Sequence, residues 1–126
     1  MRRLLLVCLG GALGSGARYL VASGVGRLVG PGLPWGTLAV NVLGCFAIEL
    51  VLQAAARAGL APLVVLSLTT GVMGGFTTYS AFDNQVLDYL RAASYGPAAL
   101  YFGATVAGCL VAGMVGIAAG QAIWAR

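Results

Sequence analysis

Apolar residues fall into four long blocks, roughly 4 to 26, 34 to 56, 62 to 91 and 97 to 124, each long enough for the about 20 residues a membrane-spanning helix needs. The polar breaks between them are "GRLVGPGLP", "RAGLAP" and "RAASYGP". Each is short, holds an arginine and ends in a proline, which can open the next helix in its first turn. Short connections make successive helices antiparallel neighbours, so the pattern predicts a single domain over residues 1–126 built as a four-helix transmembrane bundle. The opening "MRRLLLVCLGGALGSGA" has the basic start and apolar run of a signal peptide. It reads instead as the first span, because the apolar character continues and the polar body of a secreted protein never arrives.

The third block departs from a plain apolar helix. Its centre, "GGFTTYSAFDN" from Gly74 to Asn84, follows Gly71 and holds Gly74 and Gly75, then hydroxyls at Thr77, Thr78, Tyr79 and Ser80. These residues predict a broken helix. Inside a bilayer, a break survives only where protein or a water-filled cavity satisfies the freed amides and carbonyls, and such breaks often coordinate ions. The plainer alternative is a glycine kink with hydroxyls bonded back to the preceding turn. The pairs Gly10/Gly14 and Gly116/Gly120 have the small-xxx-small spacing of close helix packing.

Composition agrees with the hydropathy pattern. Hydrophobic residues make up 60% of the chain and charged residues 8%, where soluble domains carry roughly a quarter as charges. The protein is therefore expected in a lipid bilayer, as a multi-pass membrane protein. All seven basic residues are arginines, and their scattering, with a net charge of only +4, excludes a nucleic-acid surface. Arg2, Arg3, Arg57 and Arg126 fall on one side of the predicted topology, against Arg27 and Arg91 on the other, or three with Arg18 counted. So small a bias barely fixes an orientation and leaves insertion both ways open. Cys8, Cys45 and Cys109 each sit in an apolar run, and with no histidine in the chain neither a Cys/His metal centre nor a disulfide framework is indicated. No catalytic constellation is recognisable.

Two weakly polar stripes share one spacing. Thr37, Asn41 and Cys45 recur at i, i+4 and i+8 in the second block, and Tyr101, Thr105 and Cys109 do so in the fourth. Neither stripe holds a lysine, histidine or acid. Neutral donors, with the ring edges of Phe76, Tyr79 and Phe82 turned inward, suit a small anion better than a cation; interhelical hydrogen bonding and aromatic packing are the structural alternatives. Glu49 stands apart. A carboxyl in a span is a functional candidate by default, and it motivates a rival reading: a small proton-coupled exporter of cationic compounds in which Glu49 alternates between proton and substrate.

Three blocks, "GGALGSGARY" (10–19), "PWGTLAVNVLGCF" (34–46) and "GVMGGFTTYSAF" (71–82), together resemble the CrcB/Fluc family of fluoride ion channels along nearly the whole chain. The resemblance implies a passive channel of the inner (plasma) membrane, not an enzyme, that exports cytoplasmic fluoride and reduces its toxicity. It implies an all-α fold with a broken third helix, assembled as a dual-topology (antiparallel) homodimer with a structural sodium ion at its centre. The sodium would be held by backbone carbonyls of Gly74 and Thr77 from both subunits. The pore phenylalanines fall on Tyr79 and Phe82 and the pore asparagine on Asn41. Thr37, Ser80, Tyr101, Thr105 and Cys109 would line or border the fluoride path, and Arg18 would sit near the vestibule. Against the family pattern, Tyr79 replaces a Phe, Ala81 a Thr, Gln85 a Glu, Cys109 a Ser and Glu49 a Gly. A non-conducting partner subunit of a heterodimeric fluoride channel is the further alternative these departures raise.

Overall fold

The computed structural model describes residues 1–125. Arg126, counted above among the basic residues of one side, lies outside the described residues. Four helical spans are long and apolar enough to cross a membrane: Arg2–Val29, Trp35–Ala58, Pro62–Arg91 and Tyr95–Ile123. The chain is an all-helical, multi-pass membrane protein. The first two spans are the unbroken helices α1 (Arg2–Val29) and α2 (Trp35–Ala58), and α2 stops at Gly59, whose left-handed φ of 70° closes the helix end. The fourth span, α6 (Tyr95–Ile123), begins two residues ahead of Pro97, whose ring is tolerated throughout a first helical turn.

The third span is in pieces. α3 (Pro62–Leu66) runs into a π-helical stretch, Ser67–Met73, then a single turn α4 (Gly74–Phe76), and after the break α5 (Tyr79–Arg91). The break does not fall on the glycines expected to weaken the helix. Gly74 is helical at φ −62° and ψ −35°, whereas Thr77 (−78°, 157°) and Thr78 (−148°, 108°) are extended. β-branched residues accept extended backbone readily, so the two threonines carry the break. The π-helical stretch is not foreshadowed in the sequence pattern.

The glycines serve packing. A methyl on Gly10 would meet the Ser67 carbonyl oxygen at 2.8 Å and Gly71 Cα at 3.1 Å, and one on Gly75 would meet Gly11 Cα at 3.0 Å. One row of small residues on α1 thus lies directly on the backbone of the third span. On α6, a methyl at Gly116 would strike the Phe46 carbonyl oxygen at 2.6 Å, and one at Gly120 would meet Gln53 Cβ at 2.5 Å. In lipid no hydrophobic force drives helices together, so close backbone approach does the work. Each glycine pair read from the sequence zips one helix pair.

The arrangement differs from a closed ring of four. α2 lies in the middle, with α1 on one side and α6 on the other, and α1 and α6 do not touch. The third span changes partner at its break: up to Phe76 it lies on α1, and from Tyr79 it lies on α6. This leaves a groove where its first half and α6 stand apart. Large apolar side chains elsewhere point outward, among them Leu9, Leu13 and Leu20 on α1 and Leu110, Met114 and Val115 on α6, as a lipid-facing surface requires.

Candidate functional site

Asn41, on the central helix, clamps the break. Its Nδ2 donates to the Thr78 carbonyl at 3.0 Å, and its Oδ1 accepts from the Thr78 N–H at 2.8 Å. One side-chain amide thereby replaces the helical bonds that Thr78 has lost. In a continuous helix the Thr78 N–H would have bonded the Gly74 carbonyl, so its capture by Asn41 releases that oxygen. Thr78 also caps α5, its Oγ1 accepting from the Ala81 N–H at 3.3 Å. From α1, Arg18 Nη1 donates to the Thr77 carbonyl at 3.3 Å and Ser15 Oγ to the Gly75 carbonyl at 3.4 Å. Thr77 Oγ1 donates back to the Met73 carbonyl at 3.0 Å, so the back-bonded hydroxyl of the plainer alternative coexists with the break. Gly44 makes room for all this, since a side chain there would collide with the Thr77 methyl group.

The expected site residues divide between two clefts. A cleft of about 410 Å³ is lined by Asn41, Gly74, Thr77, Tyr79, Phe82, Thr105 and Cys109, together with Cys45. A second, of about 460 Å³, holds Arg18, Thr37 and Ser80 together with Ser15 and Thr78. The Asn41–Thr78 clamp sits between them, Asn41 lining the first and Thr78 the second. Arg18 is thus at the level of the break, not at a membrane surface with Arg27. Tyr101 lines neither cleft; it is fully buried behind Phe82.

The two polar stripes lie side by side. α2 and α6 run in the same direction, with Val42 facing Gly108 and Glu49 facing Gly113. Equal spacing along level helices brings Thr37 alongside Tyr101, Asn41 alongside Thr105 and Cys45 alongside Cys109. The Thr105 hydroxyl is buried and has no hydrogen-bond partner among the described residues, which is costly unless a ligand or water meets it. Phe82 is the aromatic hub. Tyr79 meets it edge-on at 5.8 Å, Tyr101 tilts against it at 5.5 Å and Phe102 stacks on it at 5.8 Å. Tyr79 itself is 77% exposed at the cleft, whereas Phe76 is buried against α2 and lines neither cleft, so the inward aromatic row is interrupted.

Glu49 continues the spacing of the α2 stripe one turn past Cys45, at the end away from the break. It turns toward Gly113 and Gly116 of α6, outside both clefts, and makes no ion pair among the described residues, whose salt bridge is Arg91–Asp88.

Gln85, noted in the sequence only as a departure, is a joint. Tyr101 OH donates to its Oε1 at 2.8 Å, and its Nε2 donates to Thr37 Oγ1 at 3.0 Å. It couples the second cleft to the aromatic hub. Nothing local in the sequence marks this role, because the partners stand 48 and 16 residues away. Gln85→Leu strands the buried Tyr101 hydroxyl, and an unpaired buried donor costs about 1–3 kcal/mol. We expect a lower unfolding midpoint in detergent, with Gln85→Glu restoring much of the loss by accepting from Tyr101.

The first cleft offers neutral donors and ring edges and no formal charge. Fold and site together define a small multi-pass membrane protein built around a polar break, with a cleft suited to an anion. The family model described as CrcB-like protein, Camphor Resistance (CrcB), matches residues 5–117, and the chain belongs to that family. Its relatives include proteins named fluoride-specific ion channel FluC. That of Anaeromyxobacter sp. (strain K) is 51% identical over 113 residues, covering 89% of this chain and 90% of the relative. That of Chelativorans sp. (strain BNC1) is 45% identical over 118 residues (93% and 94%), and that of Geobacter sulfurreducens 44% over 122 residues (96% and 98%).

Proposed function

We propose that this protein is a passive fluoride-selective channel of the inner membrane that releases cytoplasmic fluoride. The observation that carries the reading is the clamped Asn41: one N–H holds the Thr78 carbonyl, and the other remains for a ligand in a cleft without charge. The full-length kinship to fluoride-specific channels supports it. A small anion gives up its water only where fixed donors replace that water. Asn41 Nδ2, the unpartnered Thr105 hydroxyl and the ring edges of Phe82 and Tyr79 are such groups, and Arg18 beside the second cleft supplies the attraction. The carboxyl a proton-coupled exporter would need is outside both clefts. The test is efflux from liposomes holding the purified protein, read with a fluoride electrode, with chloride in parallel. Fluoride release without proton exchange is expected; proton-coupled uptake of a lipophilic cation that vanishes in Glu49→Gln would establish the exporter instead.

Phe82→Ile keeps the bulk of the hub and removes its electropositive edge. Fluoride efflux drops by about fivefold, on the order of a single aromatic contact of about 1 kcal/mol, while the protein elutes unchanged from gel filtration. Unaltered flux would remove Phe82 from the path.

Assembly follows from the same break. The proposed unit is a dual-topology dimer of two antiparallel copies, with a structural sodium ion where two third spans cross. The released Gly74 carbonyl and the Thr77 carbonyl are hard neutral oxygens of the kind such a cation takes. Two from one chain are too few to enclose an ion, and Thr77 already shares one lone pair with Arg18, so a second copy is required. Replacing sodium by a bulky organic cation weakens dimerisation, because the ion binds only the assembled state. Orientation is read by a single cysteine at Ala61, an exposed loop position, in a background without the native cysteines. An impermeant reagent should label about half the chains in intact cells, as balanced insertion requires. Labelling from one side alone would replace the homodimer with a pairing of this chain and an oppositely oriented second subunit.

A further inference from the structure

Cys45 and Cys109 are 64 residues apart in sequence and belong to different spans, yet both line the first cleft, and the register of α2 against α6 sets them at the same level. Both are free and half-buried, whereas Cys8 lies exposed on α1 away from them. We propose that this pair is a binding site for a two-coordinate thiophilic cation, of the class of Hg2+, Ag+ and Cu+, and that occupancy closes the cleft to anions. The second part rests on the fluoride-channel reading; the first does not.

Soft, closed-shell cations of this class prefer sulfur and are satisfied by two thiolates in line, so they need no third protein ligand. No cluster of three or more metal-ligating side chains occurs among the described residues, which argues against a zinc-type site and leaves the two-sulfur mode. The surroundings favour it as well. The cleft wall around the pair is apolar, formed by Ile48, Val106 and Met73, and Met73 brings a thioether sulfur to the same cleft. With mercuric ion the reaction is a simple exchange: two S–H bonds break, two Hg–S bonds form and two protons leave to solvent, with no change of oxidation state. The ion would sit one helical turn beyond the Asn41–Thr105 level, on the path a conducted anion takes past those donors.

The test uses purified full-length protein carrying Cys8→Ser, so that only the pair remains, titrated with mercuric chloride and followed by the ultraviolet thiolate-to-mercury charge-transfer band. The expected endpoint is one ion per chain with both thiols lost to a thiol-reactive dye. Cys45→Ala and Cys109→Ala, each in the Cys8→Ser background, should weaken retention against a competing small monothiol by about a hundredfold, because losing one of two thiolate bonds removes the chelate. Retention as tight in either variant, or an endpoint of two ions per chain, overturns the site. In parallel, fluoride efflux from liposomes of the Cys8→Ser protein should fall by about tenfold at one mercuric ion per chain and recover with excess dithiothreitol. Full efflux with the ion bound overturns the closure. Absence of efflux before any metal is added instead overturns the fluoride reading, and the titration still decides the site.

Discussion

Asn41→Asp lowers fluoride efflux by about a thousandfold. Two effects act in the same direction. The new carboxylate stands where the anion must pass, and at roughly 4 Å and an effective dielectric of about 20 their repulsion is about 4 kcal/mol. Each 1.36 kcal/mol is about tenfold in rate, which gives about three decades. The substitution also removes the Nδ2 donor to the Thr78 carbonyl and sets one oxygen against another across the break, while the Thr78 N–H keeps its acceptor. The break is therefore loosened but not lost, and the protein should still elute as the parent does. The measurement is the initial rate in the electrode assay at matched protein density. A parent-like rate from a protein that carries the substitution would take Asn41 off the path.

Gly14→Ala destabilises the fold most among single-methyl changes. That methyl would collide with the Val72 carbonyl and lie 2.9 Å from the Phe76 nitrogen, both backbone atoms that cannot rotate away. α1 and the third span must then separate, and overpacking of this kind costs about 1–3 kcal/mol. Separation also shifts Arg18 and Ser15 relative to the Thr77 and Gly75 carbonyls they hold, so flux falls along with stability. Gly16→Ala is the control: it lies on the same helix, open space surrounds its added methyl, and alanine is the better helix former by about 1 kcal/mol. The unfolding midpoint in detergent should drop for Gly14→Ala and hold or rise for Gly16→Ala. Equal behaviour would mean that the glycine contact does not hold these helices together.

Much of the architecture was legible because hydropathy and helical periodicity are local. The four spans follow from apolar blocks between arginine- and proline-bearing breaks, and the structure places their ends within a few residues. The interruption of the third span was visible for the same reason, as a knot of glycines and hydroxyls where lipid favours neither. Its position was not. The glycines looked like the weak point, yet they stay helical, because their lack of side chains serves the approach of α1, and the chain opens at Thr77 and Thr78, where Asn41 offers the backbone another partner.

The two donor stripes show where local reading ends. Sequence determined that Thr37, Asn41 and Cys45 share one face, and that Tyr101, Thr105 and Cys109 share another, since each set recurs every four residues. Only the tertiary structure decided that the two faces meet, level and parallel. It likewise decided that Gln85 joins Thr37 to Tyr101, that Glu49 lies outside both clefts, and that two thiols 64 residues apart share a cleft. The register between helices in lipid is set by how closely their backbones approach, at Gly108, Gly116 and Gly120 against α2 and at Gly10 and Gly14 against the third span. Periodicity within one helix carries no information about that register, so the stripes were readable one at a time and the site they form was not.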